Sequence, residues 1–518
     1  MARTRSDLTA LVDVVARRFQ AGGEKTFVRD DTTGEPLTYA EVDALSTDGA
    51  QVLRAFVGPG SPVVIYAGAV LAKVIAWFAC IKAEAVDVPI DPDIKGSMLA
   101  EMLAKIAPAV ILTDGEGLLS LQRSGGALVE EIPVIQILLS DYQFSIVSAP
   151  RATVPSPQWG EGFEGLRSIR FTSGSTGLPK GVMFSEKLLL GKAEQFVGLM
   201  GYESSDVLYS AFPLHHSLAS INGVLPTMLV GGSLVIRSRF SVSQFWERVR
   251  IHQATLAHLI DPPMKMLLSR DPSHHDRDHS VRKVWTGQGS SRAFEQRFGV
   301  QVVRIYNMSE LNVVSVLEDR CHLDDSTCYG TISSRYLVEV RDEEGALIPT
   351  GETGEIFVRP LGADDMFLGY FGDWAYTLDR WRDLWFRTGD VGYVSAQRCL
   401  HLSGRVAGRL RRRGVNLSAE AIERVAEDLP TVVECVAVPV SAAIGEDDVK
   451  ILVTVSDPAG FDPAALMDHL AANLPKSHLP RFVALVETIP KTAMGKVNRA
   501  TATGMTAVAE WDFERSGN

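Results

Sequence analysis

Short runs rich in β-branched residues alternate with longer helical stretches between Ser61 and Asp114, and no other feature constrains the fold as strongly. The order is "SPVVIYAG", a helix, "AVDVPI", a helix in "GSMLAEMLAKIA", then "PAVILTD". Strands bounded by turn residues and separated by helices of this length read as βαβ units, so the spacing predicts an α/β fold with parallel pairing. One segment competes with that reading. The run "VVIYAGAVLAKVIAWFACI", Val63 to Ile81, approaches the length of a membrane span, but Lys73 stands in its middle, too far from either end for its amine to reach a polar surface. A buried strand followed by a core helix fits better, and no membrane span is expected.

The alternation returns further on in "DVLYSAFP", "GGSLVIR", the helical "SVSQFWERVRIHQ", "ATLAHLI", "VRKVWTG" and "VQVVRIYNMSE". From about Tyr336 the texture changes to shorter strands and turns, "YLVEVRDEEGALIPTGETGEIFVRP", as in a β-rich subdomain built of hairpins. After Gly404 it changes again, and the remainder holds enough helix and strand for a separate α/β domain of about 100 residues. The chain of 518 residues is too long for one typical core. The expected organisation is α/β: a large N-terminal domain, 1–404, of α/β subdomains plus the β-rich subdomain, and a small mobile C-terminal α+β domain, 405–518.

A formal net charge of −12 argues against a general nucleic-acid binder, because the bulk field repels polyanions. Cys80, Cys321, Cys328, Cys399 and Cys435 are scattered and form no C-x-x-C pair, so neither a disulfide framework nor a zinc site is indicated and a reducing cytoplasm fits. The beginning, "MARTRSDLTALVDVVARRF", reads as an amphipathic helix rather than an export signal.

The stretch "FTSGSTGLPKG", Phe171 to Gly181, packs glycines, hydroxyls and a lysine between apolar runs. Small residues let backbone N–H groups approach an anion, hydroxyls add donors and the lysine adds charge, so the composition points to a phosphate-holding loop. It is not the Walker loop, since Pro179 precedes Lys180 and Gly181 follows it.

Several distant motifs then line up in one order: "LTYAEVDALS", "FTSGSTGLPKG", "FPLHHSLAS", "IYNMSE", "GETGEIFV", "FLGYF", "FRTGDVGYV", "LSGRVAGRLRRRGVNLSAEAIE" and "PKTAMGKVNR". Together they resemble the adenylate-forming superfamily of acyl-CoA synthetases, nonribosomal-peptide adenylation domains and luciferases, closest in motif character to acyl- or aryl-CoA ligases. The resemblance implies that a carboxylate attacks the α-phosphorus of ATP, releasing pyrophosphate, and that a nucleophile then displaces AMP. Bringing an anion onto a polyanion requires charge control, so ATP and Mg2+ are implied as cofactors, with CoA or a phosphopantetheine carrier as the second substrate. The implied partners are a small-molecule acid and CoA or a carrier protein, with no nucleic acid.

By that resemblance Thr172, Ser173, Gly174, Ser175, Thr176, Gly177 and Lys180 grip the β- and γ-phosphates. Tyr306, Asn307 and Met308 border the nucleotide, Ser309 reaches the α-phosphate or the acid, and Glu310 with Thr176 holds the metal. Gly287, Gln288 and Gly289 in "GQGSS" stand at the adenine-side turn, without the proline usual there. Asp390 suits the two ribose hydroxyls, because an ionised carboxylate accepts two hydrogen bonds at once. Arg405 also faces the ribose and opens the interdomain hinge. Lys496 is the implied catalytic lysine, with Lys491 as the nearby competitor. His216 is implied to line the carboxylate site as a catalytic residue, and His215, Ser217, Gln288 and Asn307 to meet the substrate.

Departures from the family pattern matter. Ala407 replaces the usual charged hinge residue, Glu84 stands where glycine is frequent, and Asn307 stands where glycine is usual, so Asn307 either adds a polar side chain beside the acyl pocket or requires a changed backbone. Gln288, Asn307 and Ser217 together suit an aryl or small polar acid better than a long alkyl chain. Two rivals stay open: an adenylate-forming enzyme of a natural-product pathway that makes amides or activates nitrite to diazotise an aryl amine, and a catalytically inactive nucleotide-binding regulator. "SHHDRDHS", with His274, His275 and His279, reads as a solvated loop. "RLRRRG" is basic enough either to meet the phosphate of CoA or a carrier's phosphopantetheine, or simply to be a solvated face.

Overall fold

The computed structural model describes residues 10–124, 129–148, 165–172, 180–286, 291–317, 325–405, 409–412, 415–440, 448–474, 479–491 and 497–513. The chain divides into two compact units: the first comprises residues 1–172, 178–337 and 360–379, the second residues 173–177, 338–359 and 380–518. The expected α/β class holds, with several sheets in the large N-terminal part and a small C-terminal sheet-and-helix domain.

In the first unit the βαβ alternation becomes a seven-stranded sheet. Pro62–Tyr66 lies between Val86–Pro89 and Val110–Thr113, all parallel, and Val110–Thr113 continues in parallel to Val134–Ile137. The helix that follows the first of these strands, Val70–Lys82, has every residue buried, which is why its sequence reads as a continuous apolar run rather than a stripe. With 13 residues it is about 20 Å long, short of a bilayer core of about 30 Å. Among the described residues no helix is long and apolar enough to cross a membrane. The sheet ends in an antiparallel pair, Leu166–Thr172 with Lys180–Ser185.

A second parallel array in the same unit runs through Gln301–Met308, Lys283–Thr286, Leu256–His258, Val207–Ser210, Ser233–Ile236 and Thr26–Asp30. Its last parallel strand, Gln301–Met308, turns back into the antiparallel Leu311–Leu317. The motif "LTYAEVDALS" is a helix start: Thr38 accepts from the Glu41 amide while the Glu41 carboxylate takes the Thr38 amide, a capping box for the helix Tyr39–Leu53.

Glu84, at the frequent glycine position, sits just past the helix Val70–Lys82 with φ +56°. The backbone there is left-handed, so the side chain is held against its steric preference. Asn307 differs: its φ is not positive, so an ordinary residue is accommodated in the strand without the freedom of glycine.

In the second unit Gly354–Pro360, Trp385–Val394 and Cys399–Arg405 pair antiparallel in that order. A four-stranded sheet, Val432–Val440, Asp448–Val455, Phe482–Leu485 and Ala509–Asp512, is covered by the helices Ala419–Glu427 and Pro463–Asn473 through Ile422, Leu466 and Leu470. The described cysteines Cys80, Cys328, Cys399 and Cys435 are buried and form no disulfide.

Candidate active site

The glycine-rich stretch is the mouth of a hairpin. Thr172 and Lys180 are partners in the ladder between Leu166–Thr172 and Lys180–Ser185, so both ends of the loop are anchored on the sheet. Ser173, Gly174, Ser175, Thr176 and Gly177 lie outside the described residues, as do Gly287, Gln288, Gly289, Ala407 and Lys496. The Lys180 amine lies over the ring of Tyr376, a cation–π contact. Gly181 is needed for close approach: a Cβ there would stand 2.9 Å from the Ile169 side chain and 3.1 Å from that of Phe371.

"IYNMSE" is a second hairpin. Met308 faces Leu311 across the ladder, which leaves Ser309 and Glu310 as a two-residue turn. Two-residue hairpins favour turns with positive φ, yet neither Ser309 nor Glu310 has one. The turn is held from outside instead. Lys192, on the helix Glu186–Met200, donates to the Met308 carbonyl at 2.9 Å and to the Leu311 carbonyl. One turn on, Gln195 accepts from the Val313 amide at 3.0 Å. Burial pushes the Lys192 amine down to about 7, with the Glu310 charge acting in the opposite direction. The Glu310 carboxylate accepts from the Tyr370 hydroxyl at 2.6 Å, and the Glu310 carbonyl from the Phe367 amide at 2.8 Å.

"FLGYF" ties the two hairpins together. Residues of this segment exchange backbone hydrogen bonds with Gly181 and Met183 on one side and with Glu310 on the other. Tyr370 also packs against Tyr376 with centroids 4.9 Å apart. A continuous series, Lys180, Tyr376, Tyr370 and Glu310, therefore runs from the end of the glycine-rich loop to the Ser309–Glu310 turn. Tyr376 and Lys192 escaped the sequence reading because their role depends on contacts between distant segments.

His216 caps a short helix, its Nδ1 accepting from the Leu218 amide at 3.1 Å, so the neutral ring carries its proton on Nε2. His215 is different. Neither of its ring nitrogens has a hydrogen-bond partner among the described residues, and its Nε2 stands 3.6 Å from the Asp91 carboxylate. Burial, then the nearby charges of Lys73 and Arg170, push it down to about 3, so it is neutral at physiological pH. Ser217 opens the short helix, which passes into a π-helical turn at Ser220–Val224. Asn222 in that turn is buried with Oδ1 unpartnered among the described residues. Sequence reading missed it, and π-turns recur at functional sites.

Tyr306 is buried, edge-on to Tyr329, and Asn307 and Met308 are half-buried in the same strand. A polar cluster also lies on two neighbouring strands of the seven-stranded sheet: Arg170 pairs with Asp87, which accepts from the Trp77 indole at 3.0 Å, all buried and lining one small cavity with Lys73. Burial raises the Asp87 pKa, against the pull of Arg170. The histidine stretch needs a correction. His274 and His275 are exposed, but His279 is half-buried and stacked on Trp246 with centroids 4.4 Å apart, so it is a packing residue rather than a solvated one.

Within the second unit, Asp390 and Arg405 are direct partners across the antiparallel ladder of their strands. Asp390 is buried, and its amide donates to the Thr388 hydroxyl at 3.0 Å. Lys491 pairs with Glu434 at 3.1 Å, and its backbone bridges to Val497, so the loop that contains Lys496 is closed at its base.

The family model described as AMP-binding enzyme matches residues 15–371, and the AMP-binding enzyme C-terminal domain matches residues 421–496. The chain belongs to the AMP-binding enzyme family. As an adenylate-forming enzyme it is an AMP-forming ligase that activates an acid with ATP. A crotonobetaine/carnitine–CoA ligase of Salmonella typhi is 24% identical over 439 residues, covering 82% of this chain and 84% of the relative. In fold, the AMP-binding enzyme is similar to ATP-bound MatB from Rhodopseudomonas palustris, with a TM-score of 0.82 at 22% identity, covering 95% of this chain and 98% of that one. It is also similar to the amide bond synthetase McbA from Marinactinospora thermotolerans, with a TM-score of 0.79 at 23% identity over 95% and 99% of the two chains.

Among the described residues there is no cluster of three or more His, Cys, Asp or Glu side chains suited to hold a metal. A single carboxylate beside hydroxyls is instead the donor set that suits magnesium carried on nucleotide phosphates, since that ion keeps most of its ligands from water and phosphate. Glu310 fits this, because Tyr370 occupies only one of its two oxygens with a hydrogen bond.

Proposed function

We propose that this AMP-binding enzyme activates an aryl or small polar carboxylic acid as its acyl adenylate and then passes the acyl group to a thiol such as CoA. The observation that carries the reading is the series Lys180–Tyr376–Tyr370–Glu310, which links the end of the phosphate loop to the turn that bears Ser309 and Glu310. The loop from Thr172 to Lys180 holds the β- and γ-phosphates by backbone amides, hydroxyls and the lysine. Ser309 orients the α-phosphate or the acid. Magnesium, held by Glu310 and Thr176, would offset phosphate charge.

Tyr306, Asn307 and Met308 border the nucleotide on one side and Gly287, Gln288 and Gly289 on the other, while Asp390 and Arg405 take the ribose. Lys496 supplies an ammonium where negative charge develops at the α-phosphorus. His216 presents Nε2–H as a donor that orients the incoming carboxylate, which needs no general base because it is already ionised at neutral pH. The buried, unpartnered polar atoms of His215 and Asn222, with the half-buried Ser217, favour an acid with polar substituents over a long alkyl chain, since burying unmatched polar groups against alkyl carbon is costly. The small domain, 405–518, turns about Ala407 to exchange adenylation for thiol transfer.

The test is pyrophosphate exchange and AMP release across aryl, short alkyl and amino acids, with and without CoA. Acid-dependent exchange followed by CoA-dependent AMP release is expected. CoA-independent AMP release with nitrite and an aryl amine would overturn the thiol step. Lys496→Ala should depress adenylate formation by about 100-fold or more while leaving ATP affinity largely intact.

A further inference from the structure

We infer that Lys192 is a positioning residue for adenylation: its buried amine clamps the backbone on both sides of the Ser309–Glu310 turn and so sets where that serine and glutamate meet the nucleotide. The inference rests on the functional reading above and adds to it a residue that touches no substrate.

The turn has little preference of its own for its shape. A two-residue hairpin without positive φ sets the strand twist poorly, and the ladder already slips between Tyr306 and Met308. Lys192 compensates from the helix behind. It is 3% exposed, and its amine donates to the carbonyls of both residues that bracket the turn, Met308 and Leu311. An amine that donates to two carbonyls in a buried site makes hydrogen bonds that the low local dielectric strengthens.

The helix makes a second contact with the same hairpin, where Gln195 takes the Val313 amide. Tyr370 works on the other end of the same turn, fixing the Glu310 carboxylate directly. Backbone and side chain of the turn are thus held from different segments. A buried lysine whose donors go to main-chain carbonyls is a costly way to fill a helix face, and a methionine of similar length would pack there without that cost.

The experiment measures ATP binding by calorimetry as a function of Mg2+, with no acid present, and pyrophosphate exchange with the best acid, for the wild type, Lys192→Met, Lys192→Gln and Tyr370→Phe. Lys192→Met is expected to raise the Mg2+ concentration for half-maximal exchange and to lower kcat by about 10-fold or more with little change in the KM for the acid. Lys192→Gln, which keeps donors, should recover part of the loss. Faster amide exchange at residues 309–313 in Lys192→Met would be the accompanying structural sign. A folded Lys192→Met enzyme with wild-type Mg2+ dependence and kcat overturns the inference alone. If that variant does not fold, Lys192→Gln carries the test: it should keep a residual rise in Mg2+ requirement and faster amide exchange at residues 309–313, and wild-type values of both overturn the inference. Failure of the wild type itself to bind Mg2+ and ATP overturns the functional reading beneath it.

Discussion

The amine of Lys180 rests over the ring of Tyr376, so the residue that closes the glycine-rich loop is held by an aromatic face from a segment almost two hundred positions away. A lysine in this arrangement loses little entropy when phosphate arrives, because its stem is already placed. Replacing Tyr376 with Leu keeps apolar packing and removes the quadrupole. The expected result is ATP affinity weaker by about 3- to 10-fold, in line with about 0.5–2 kcal/mol for such a contact, measured by calorimetry. Unchanged affinity would show that the aromatic face contributes only packing.

Arg170 and Asp87 form a buried ion pair in the sheet that carries the loop. Removing one partner strands the other, so Arg170→Met should destabilise the protein by about 3–5 kcal/mol, whereas Arg170→Met combined with Asp87→Leu should recover most of that. Urea denaturation of the two variants beside the wild type decides it. Equal stabilities for the single and double variants would refute the pairing argument.

Glu84 is held in left-handed backbone at φ +56°. Glycine adopts that conformation without strain, although it costs more entropy on folding. Relief of about 1–2 kcal/mol outweighs an entropic cost of about 0.4–1 kcal/mol, so Glu84→Gly should raise the thermal midpoint. A lower midpoint would mean that the 3.8 Å contact between Glu84 and Arg167 matters more than the backbone.

His258 is fully buried beside Tyr202 and Ser210, and burial pushes it down to about 3, as it does His215. Both rings are neutral in the native state, whereas in the unfolded chain they take up a proton near pH 6.5. Between about 3 and 6.5 the unfolded state therefore binds more protons, and stability falls as the pH drops through that window. Denaturation midpoints at about pH 7.5 and about pH 5 should differ in the wild type and differ less in His258→Gln. Equal pH sensitivity in the two would show that His258 does not contribute to it.

Much of this protein was legible from local pattern. The βαβ alternation depends on residues close in sequence, where turn chemistry and side-chain periodicity act directly. The core helix around Lys73 was separable from a membrane span by one charge. His279 was misread because its neighbours are charged, while its position is decided by Trp246, more than thirty residues away.

The sequence by itself determined the fold class and the order of the motifs. Only the tertiary structure decided which distant groups support them: Tyr376 beneath Lys180, Tyr370 on Glu310, Lys192 behind the turn, and Asp390 opposite Arg405. The physical reason is range. Propensity, capping and turn preference are set within a few residues along the chain, whereas a buried amine finds its carbonyls, or a hydroxyl its carboxylate, only after folding has brought separate segments together and excluded water from between them.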